Sequence, residues 1–381
     1  MFESKEEKKV EYLELVYDLI FVYLIGRNSS LVQHVEGGFI NWTLFITYIL
    51  CTLIVINIWT NTTFYINRYG TNGLRDHISI FVNMYLLYYM AEATRADWQE
   101  YYYRYSVAWG LIMLNLALQY FLTLRKRSKD APWEGVHIKW HILILLIQAA
   151  IIFLSIPVYA LTGIPTSPLA LAVSILTMAL SGRINFLVPV DFGHLSERAM
   201  LFVVFTFGEM IIAISGFFSG DFSLSLVYFS LFAFLVVVGL FLSYELFYNH
   251  LIDKEMLTGG TLYMVLHLFL IFALSNITVG FEFMPESEIA SLPKTVYLTA
   301  SIIMFYVFLF LLGRFTGKDR RPPASFFIRI VVIGASFIAL MIIFRDNGYL
   351  SIAVTVIYVY IILAILENFK RKLAVRRNGQ K

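Results

Sequence analysis

Glu14 and Asp18 stand four residues apart in an apolar stretch near the start of the chain, with Glu11 just before them. At about 100° per residue, acids spaced three and four apart form one stripe on a helix. A second group of ionisable residues, His194, Glu197, Arg198 and Glu209, lies in another apolar stretch. Arg198 and Glu209 share a helical face, and Glu209 sits about 20 Å along such a helix from His194 at ~1.5 Å per residue. Gly208 beside it is expected to let a neighbouring backbone approach closely. Ionisable groups at membrane depth cost on the order of 2.5–3.5 kcal/mol each on insertion scales, so buried ones are candidates for function. Glu14, Asp18, Glu197 and Glu209 are therefore the candidate proton- or ion-binding residues, and Arg183 and Arg198 the candidate charge-pairing partners. Two chemistries fit them. Either the carboxylates take up a proton or cation, or they are neutralised by an arginine from a neighbouring helix.

Other constellations are weaker. His137 and His141 are four apart, a spacing that suits a metal, but no third ligand is evident and a structural role is the expectation. His267 reads as an interior histidine. The single cysteine, Cys51, excludes an intramolecular disulfide. No phosphate-binding glycine loop, no zinc-protease signature and no nucleophile elbow is present. The chain is expected not to be an enzyme, with no catalytic residue, no cofactor and no metal.

The elements that hold these residues are helices in a bilayer. Of the 381 residues 59% are hydrophobic and 14% charged, with a mean hydropathy of +0.73, whereas soluble domains carry about 25% charged residues. The apolar residues fall in unbroken runs, such as Ile142 to Phe153 and Val296 to Leu312. A helix needs roughly 20 such residues to cross a core of about 30 Å, and spanning strands would alternate instead. The fold class is thus all-α, a polytopic transmembrane helix bundle. The runs predict about twelve spans, near 11–33, 40–66, 77–94, 99–124, 137–161, 168–184, 195–218, 223–248, 260–281, 294–313, 325–344 and 349–368. Short connections make residues 1–381 a single integral membrane domain. An even count allows a 6+6 parallel repeat with halves 1–190 and 191–381. Phe64-Tyr65 and Phe247-Tyr248 end the second and eighth spans, which fits that repeat, although aromatics are abundant here.

Cytoplasmic loops carry an excess of Lys and Arg. With the N-terminus inside, the inner segments hold Lys5, Lys8 and Lys9, then Arg68 and Arg75, then Arg125 to Lys129, Lys254, Arg314 to Arg321 and the tail from Lys370. Both termini are expected to be cytoplasmic. The partners expected are the lipid bilayer and an unknown small solute or ion, with no nucleic acid.

These residues also carry a family resemblance. Glu14-Leu15-Val16-Tyr17-Asp18-Leu19-Ile20-Phe21-Val22 is similar to the E-L-F-F-D-L-V-F-V signature of the bacterial low-temperature-requirement A (LtrA-like) family. His194-Leu195-Ser196-Glu197-Arg198, Leu201-Phe202 and Gly208-Glu209 resemble its H-x-x-E-R-x-x-L-F…G-E segment. Tyr65-Ile66-Asn67-Arg68-Tyr69 with Arg75 resembles its loop after the second helix. The chain departs from the pattern at Tyr69-Gly70-Thr71-Asn72-Gly73, where the family is richer in Asp, and at Gly26-Arg27-Asn28. The resemblance implies a multi-pass protein of the bacterial inner membrane and carries no chemistry with it. The residues themselves fit a secondary transporter or exchanger with Asp18 and Glu209 as coupling carboxylates. The alternative is a non-catalytic structural or lipid-interacting protein whose buried charges are ion-paired.

Overall fold

The computed structural model describes residues 8–33, 35–95, 97–127, 132–216, 223–284 and 288–378. Among them the regular structure is helical, apart from one small hairpin. The helices are α1 (Tyr12–Ser29), α2 (Trp42–Tyr69), α3 (Leu74–Glu92), α4 (Trp98–Arg127), α5 (Pro132–Thr162), α6 (Pro168–Leu180), the short α7 (Gly182–Asn185), α8 (Phe192–Ser215), α9 (Leu224–His250), α10 (Thr261–Phe283), α11 (Ser291–Leu311), α12 (Ala324–Ile343) and α13 (Gly348–Asn378). The hairpin pairs β1 (Val35–Glu36) with β2 (Phe39–Ile40). Its turn residues Gly37 and Gly38 have φ of 61° and 84°, the left-handed values that a tight two-residue hairpin turn requires.

All twelve expected segments are helical, but ten are both long and apolar enough to cross a membrane. Two fall short for physical reasons. α6 has 13 residues, which at ~1.5 Å each covers about 20 Å of a core of about 30 Å. α3 has 19 residues but carries Arg75, Asp76 and Glu92 at its ends and Asn83 inside. The bilayer-crossing helices keep large apolar side chains exposed, among them Leu143, Leu146 and Leu154 on α5 and Ile328, Val331 and Ile343 on α12. Only 28% of the most apolar window of α12 is buried. An exposed apolar surface of that extent is solvated by lipid, and the protein is a polytopic membrane protein in contact with the bilayer.

Two compact units are distinguished by their internal contacts. The first takes Met1–His34, Trp42–Phe202 and Lys254–Leu268, and the second Val35–Asn41, Val203–Asp253 and Phe269–Lys381. In the first, α1 packs on α2 and α3, α3 on α4, α4 on α5, and α6 on α2 and α5. In the second, α9 packs on α13, α13 on α12, and α12 on α11. Gly239 of α9 lies directly under the side chains of Val359 and Tyr360 of α13, with no room for a side chain of its own, so a small residue there lets the two helices pack.

Candidate functional site

The first unit concentrates its buried charge at one place. Glu14 and Asp18 project from α1, and His194 and Arg198 project at the same four-residue spacing from the start of α8. All four are buried, Asp18 and Arg198 to 0% exposure. Arg198 Nη2 donates to Asp18 Oδ1 at 2.9 Å and its Nε to Oδ2 at 3.4 Å. That is the two-pronged grip for which a planar guanidinium is shaped. Trp59 Nε1, from α2, donates to the same Oδ1 at 2.8 Å. The Trp59 indole and Phe202 ring lie 4.4 Å apart, giving the pair an apolar flank. Asp18 is thus saturated.

Glu14 is held differently. Its Oε2 lies 3.0 Å from Arg198 Nη1 and 3.4 Å from His194 Nε2. None of these three buried atoms has an aligned hydrogen bond among the described residues. Two carboxylates share one guanidinium, and Lys8, which lines the same cavity as Glu14, is the further cation that acts on it. The orientation of His194 follows from Asn67 of α2. Asn67 Oδ1 accepts from the Asp191 N–H at 3.0 Å and its Nδ2 donates to the Asp191 carbonyl at 2.9 Å. The amide is therefore fixed, and the same Nδ2 faces His194 Nδ1 at 3.0 Å. His194 Nδ1 must accept there, so the neutral ring carries its proton on Nε2, toward Glu14.

A cavity of about 370 Å³ reaches Glu14. Its lining includes Lys8, Lys9, Glu11, Gly70 and Asp76. Lys8 precedes α1 and its Nζ donates to the Ile66 and Gly70 carbonyls at the end of α2. Asp76 accepts from the Thr71 N–H at 2.7 Å and pairs with Arg75 at 3.0 Å. A separate polar chain joins α1, α2, α3 and α4. Tyr17 meets Thr62 at 3.3 Å, Asn83 donates to Tyr17 at 3.5 Å, and Asn115 donates to Asn83 at 2.8 Å.

The other expected residues are not members of this cluster. Glu197 is exposed, because one step along a helix turns it about 100° from Arg198. Arg183 is exposed on α7, and no ion pair to it is formed among the described residues. Glu209 belongs to the second unit, half-buried, where Glu282 is a charged neighbour. Gly208 corrects an expectation: among the described residues nothing lies within 4 Å of where its Cβ would be, so none of their backbones packs closely there. His137 and His141 meet at 3.2 Å, with Tyr69 on His137 at 2.8 Å and Asn185 Oδ1 on His141 at 3.3 Å. Among the described residues no set of three His, Cys, Asp or Glu is placed to hold a metal.

Sequence reasoning missed Trp59 and Asn67 as parts of the site, and took Lys8 only as a loop charge. The signal for the first two was the run of polar residues in the second half of α2, from Asn57 to Asn67, which a helix facing only lipid would not carry. The family model of the bacterial low temperature requirement A protein (LtrA) matches residues 9–365. No curated protein and no solved structure matches the chain.

Proposed function

The chain belongs to the bacterial low temperature requirement A family, and on that footing we propose that it is a secondary transporter or exchanger of the inner membrane. Both termini are cytoplasmic in this reading, as the Lys and Arg distribution of its loops requires. It is not an enzyme, and its cargo is a small solute or ion. The observation that carries the reading is the contrast between the two acids on α1. Asp18 is locked by Arg198 and Trp59, while Glu14 borders the cavity and faces Arg198 and His194 without an aligned hydrogen bond. A carboxylate that can exchange partners at the end of a solvent path is what proton or cation coupling needs. Asp18 then anchors Arg198, and Glu14 is the exchangeable group. Glu209, half-buried in the second unit near Glu282, is a second coupling candidate.

The saturation of Asp18 favours a second reading, in which the cluster is a structural clamp in a protein without turnover. Proteoliposomes loaded with a pH-sensitive dye separate the two. Imposed gradients of sodium, potassium or organic cations should move protons with the native protein and not with Glu14→Gln, which keeps its fold. Equal proton movement in that variant would remove Glu14 from the mechanism, and no movement in either protein under any gradient would favour the clamp.

A further inference from the structure

The cavity above Glu14 has an occupant supplied by the chain itself. Lys8 lies in the non-helical segment before α1, and its ammonium donates to the carbonyls of Ile66 and, at 3.2 Å, Gly70. Both oxygens lie at the C-terminal end of α2, where the helix dipole is negative; the Ile66 oxygen also accepts the Gly70 N–H at 2.9 Å, and its second lone pair is left for Lys8. The position of Gly70 matters because a Cβ there would sit 2.6 Å from the Ile66 oxygen. Any other residue would force the backbone at that carbonyl to shift. Three carboxylates, Glu11, Glu14 and Asp76, line the same cavity against Lys8 and Lys9. These lining charges are net negative by one with Lys8 present and by two without it, with Arg75 paired to Asp76 and Arg198 to Glu14 from outside the lining. At about 370 Å³ the space falls within the range of small-ligand pockets, roughly 300–1,000 Å³.

We propose that this carbonyl and carboxylate cage is a binding site for a primary ammonium group, and that Lys8 fills it as a displaceable, built-in occupant. The chemistry selects an amine. Two converging carbonyls and a rim of acids reject anions, and an ammonium offers three donors in a compact charge. Two carbonyls are too few oxygens to strip an alkali cation of its water. Because Lys8 precedes the first helix, its withdrawal breaks no helical hydrogen bond. The proposal rests on the transport reading only in naming an amine-bearing solute as cargo; occupancy of the site does not depend on turnover.

The test is therefore made at equilibrium, on the full chain in lipid nanodiscs, with n-butylammonium chloride as the probe and potassium chloride at equal ionic strength as the control. Lys8→Ala should melt lower than the native protein, and saturating butylammonium should raise it by roughly 2–4 °C. Potassium should not, and the double variant Lys8→Ala with Gly70→Ala should not respond. In the native protein, butylammonium should raise acetylation of Lys8 by an amine-directed reagent relative to exposed Lys126 and Lys372, read residue by residue by mass spectrometry; the ratio cancels the reagent that the probe amine itself consumes. The proposal is overturned if potassium raises the melting point equally, if Gly70→Ala leaves the response intact, or if Lys8 acetylation is unchanged by the probe. The last measurement holds even where Lys8→Ala does not fold. An amine response without solute flux would refute transport and keep the site, whereas flux without an amine response would do the reverse.

Discussion

Arg198 grips Asp18 through two nitrogens, at 2.9 and 3.4 Å, with both side chains fully buried. The pair joins α1 to α8 inside the first unit, and its two ends are not equivalent as targets. Asp18 keeps Trp59 as a donor if Arg198 is lost, but it would still be a buried charge.

Arg198→Met should therefore destabilise the protein by about 3–5 kcal/mol, the usual cost of breaking a buried pair from one side. Arg198→Lys should recover little, because an ammonium cannot reproduce the two-pronged contact. Thermal unfolding in detergent or nanodiscs measures both. A lysine variant as stable as the native protein would show that charge, without geometry, holds the cluster.

Trp59→Phe removes the indole donor while keeping an aromatic ring beside Phe202. Hydrogen bonds to charged groups are worth about 1.5–3 kcal/mol, so a loss in that range is expected. A double-mutant cycle with Asp18→Asn should show coupling between the two positions. Additive effects would mean that Trp59 acts by packing alone.

Asn67→Asp replaces a donor by an acceptor opposite the Asp191 carbonyl and opposite His194 Nδ1. The carboxylate still accepts the Asp191 N–H, but it repels that carbonyl and draws a proton to Nδ1, so the donor side of the fixed amide is lost. The expected cost is about 1–3 kcal/mol, and the nitrogen-15 shifts of His194 should report a change of tautomer. Unchanged shifts would refute the orientation assigned to His194.

Lys8 sets a pH dependence. Burial pushes its ammonium below the ordinary value of 10.5, with Arg198 adding to that, while Glu14, Asp191 and Asp76 push it back up. A lysine lowered on folding binds its proton less well in the native state than in the unfolded one. Its contribution to stability therefore rises with pH between the lowered value and 10.5. The melting-temperature difference between the native protein and Lys8→Met should shift in favour of the native protein as pH rises through that window. A shift the other way would show that the acids around Lys8 outweigh its burial.

Much of this was legible without coordinates. The apolar runs predict every one of the helices that hold the site, because helix formation in a bilayer is decided by local composition: no water is present to satisfy a strand edge or a loop. The acids of α1 stand out for the same reason, since an ionisable group in such a run is costly wherever its partner lies. The four-residue spacings of Glu14 with Asp18 and of His194 with Arg198 put each pair on one face. That much is arithmetic on a helix.

Which helices meet is a different kind of fact. From sequence, Arg183 and Arg198 were both open as partners for the α1 acids. Tertiary packing brings Arg198 to both acids and leaves Arg183 exposed. The unequal treatment of Glu14 and Asp18 depends on Trp59, on the amide of Asn67 and on the cavity beside Lys8. Trp59 and Asn67 come from α2, and Asp76 of the cavity lining from α3, all far from α1 in the chain. Sequence by itself determined that the chain is a helical membrane protein with costly charges on particular helices. Only the tertiary structure decided which charge is locked and which borders open space, because partner geometry at the ångström scale is set by packing between helices and leaves no trace in the periodicity of any one of them.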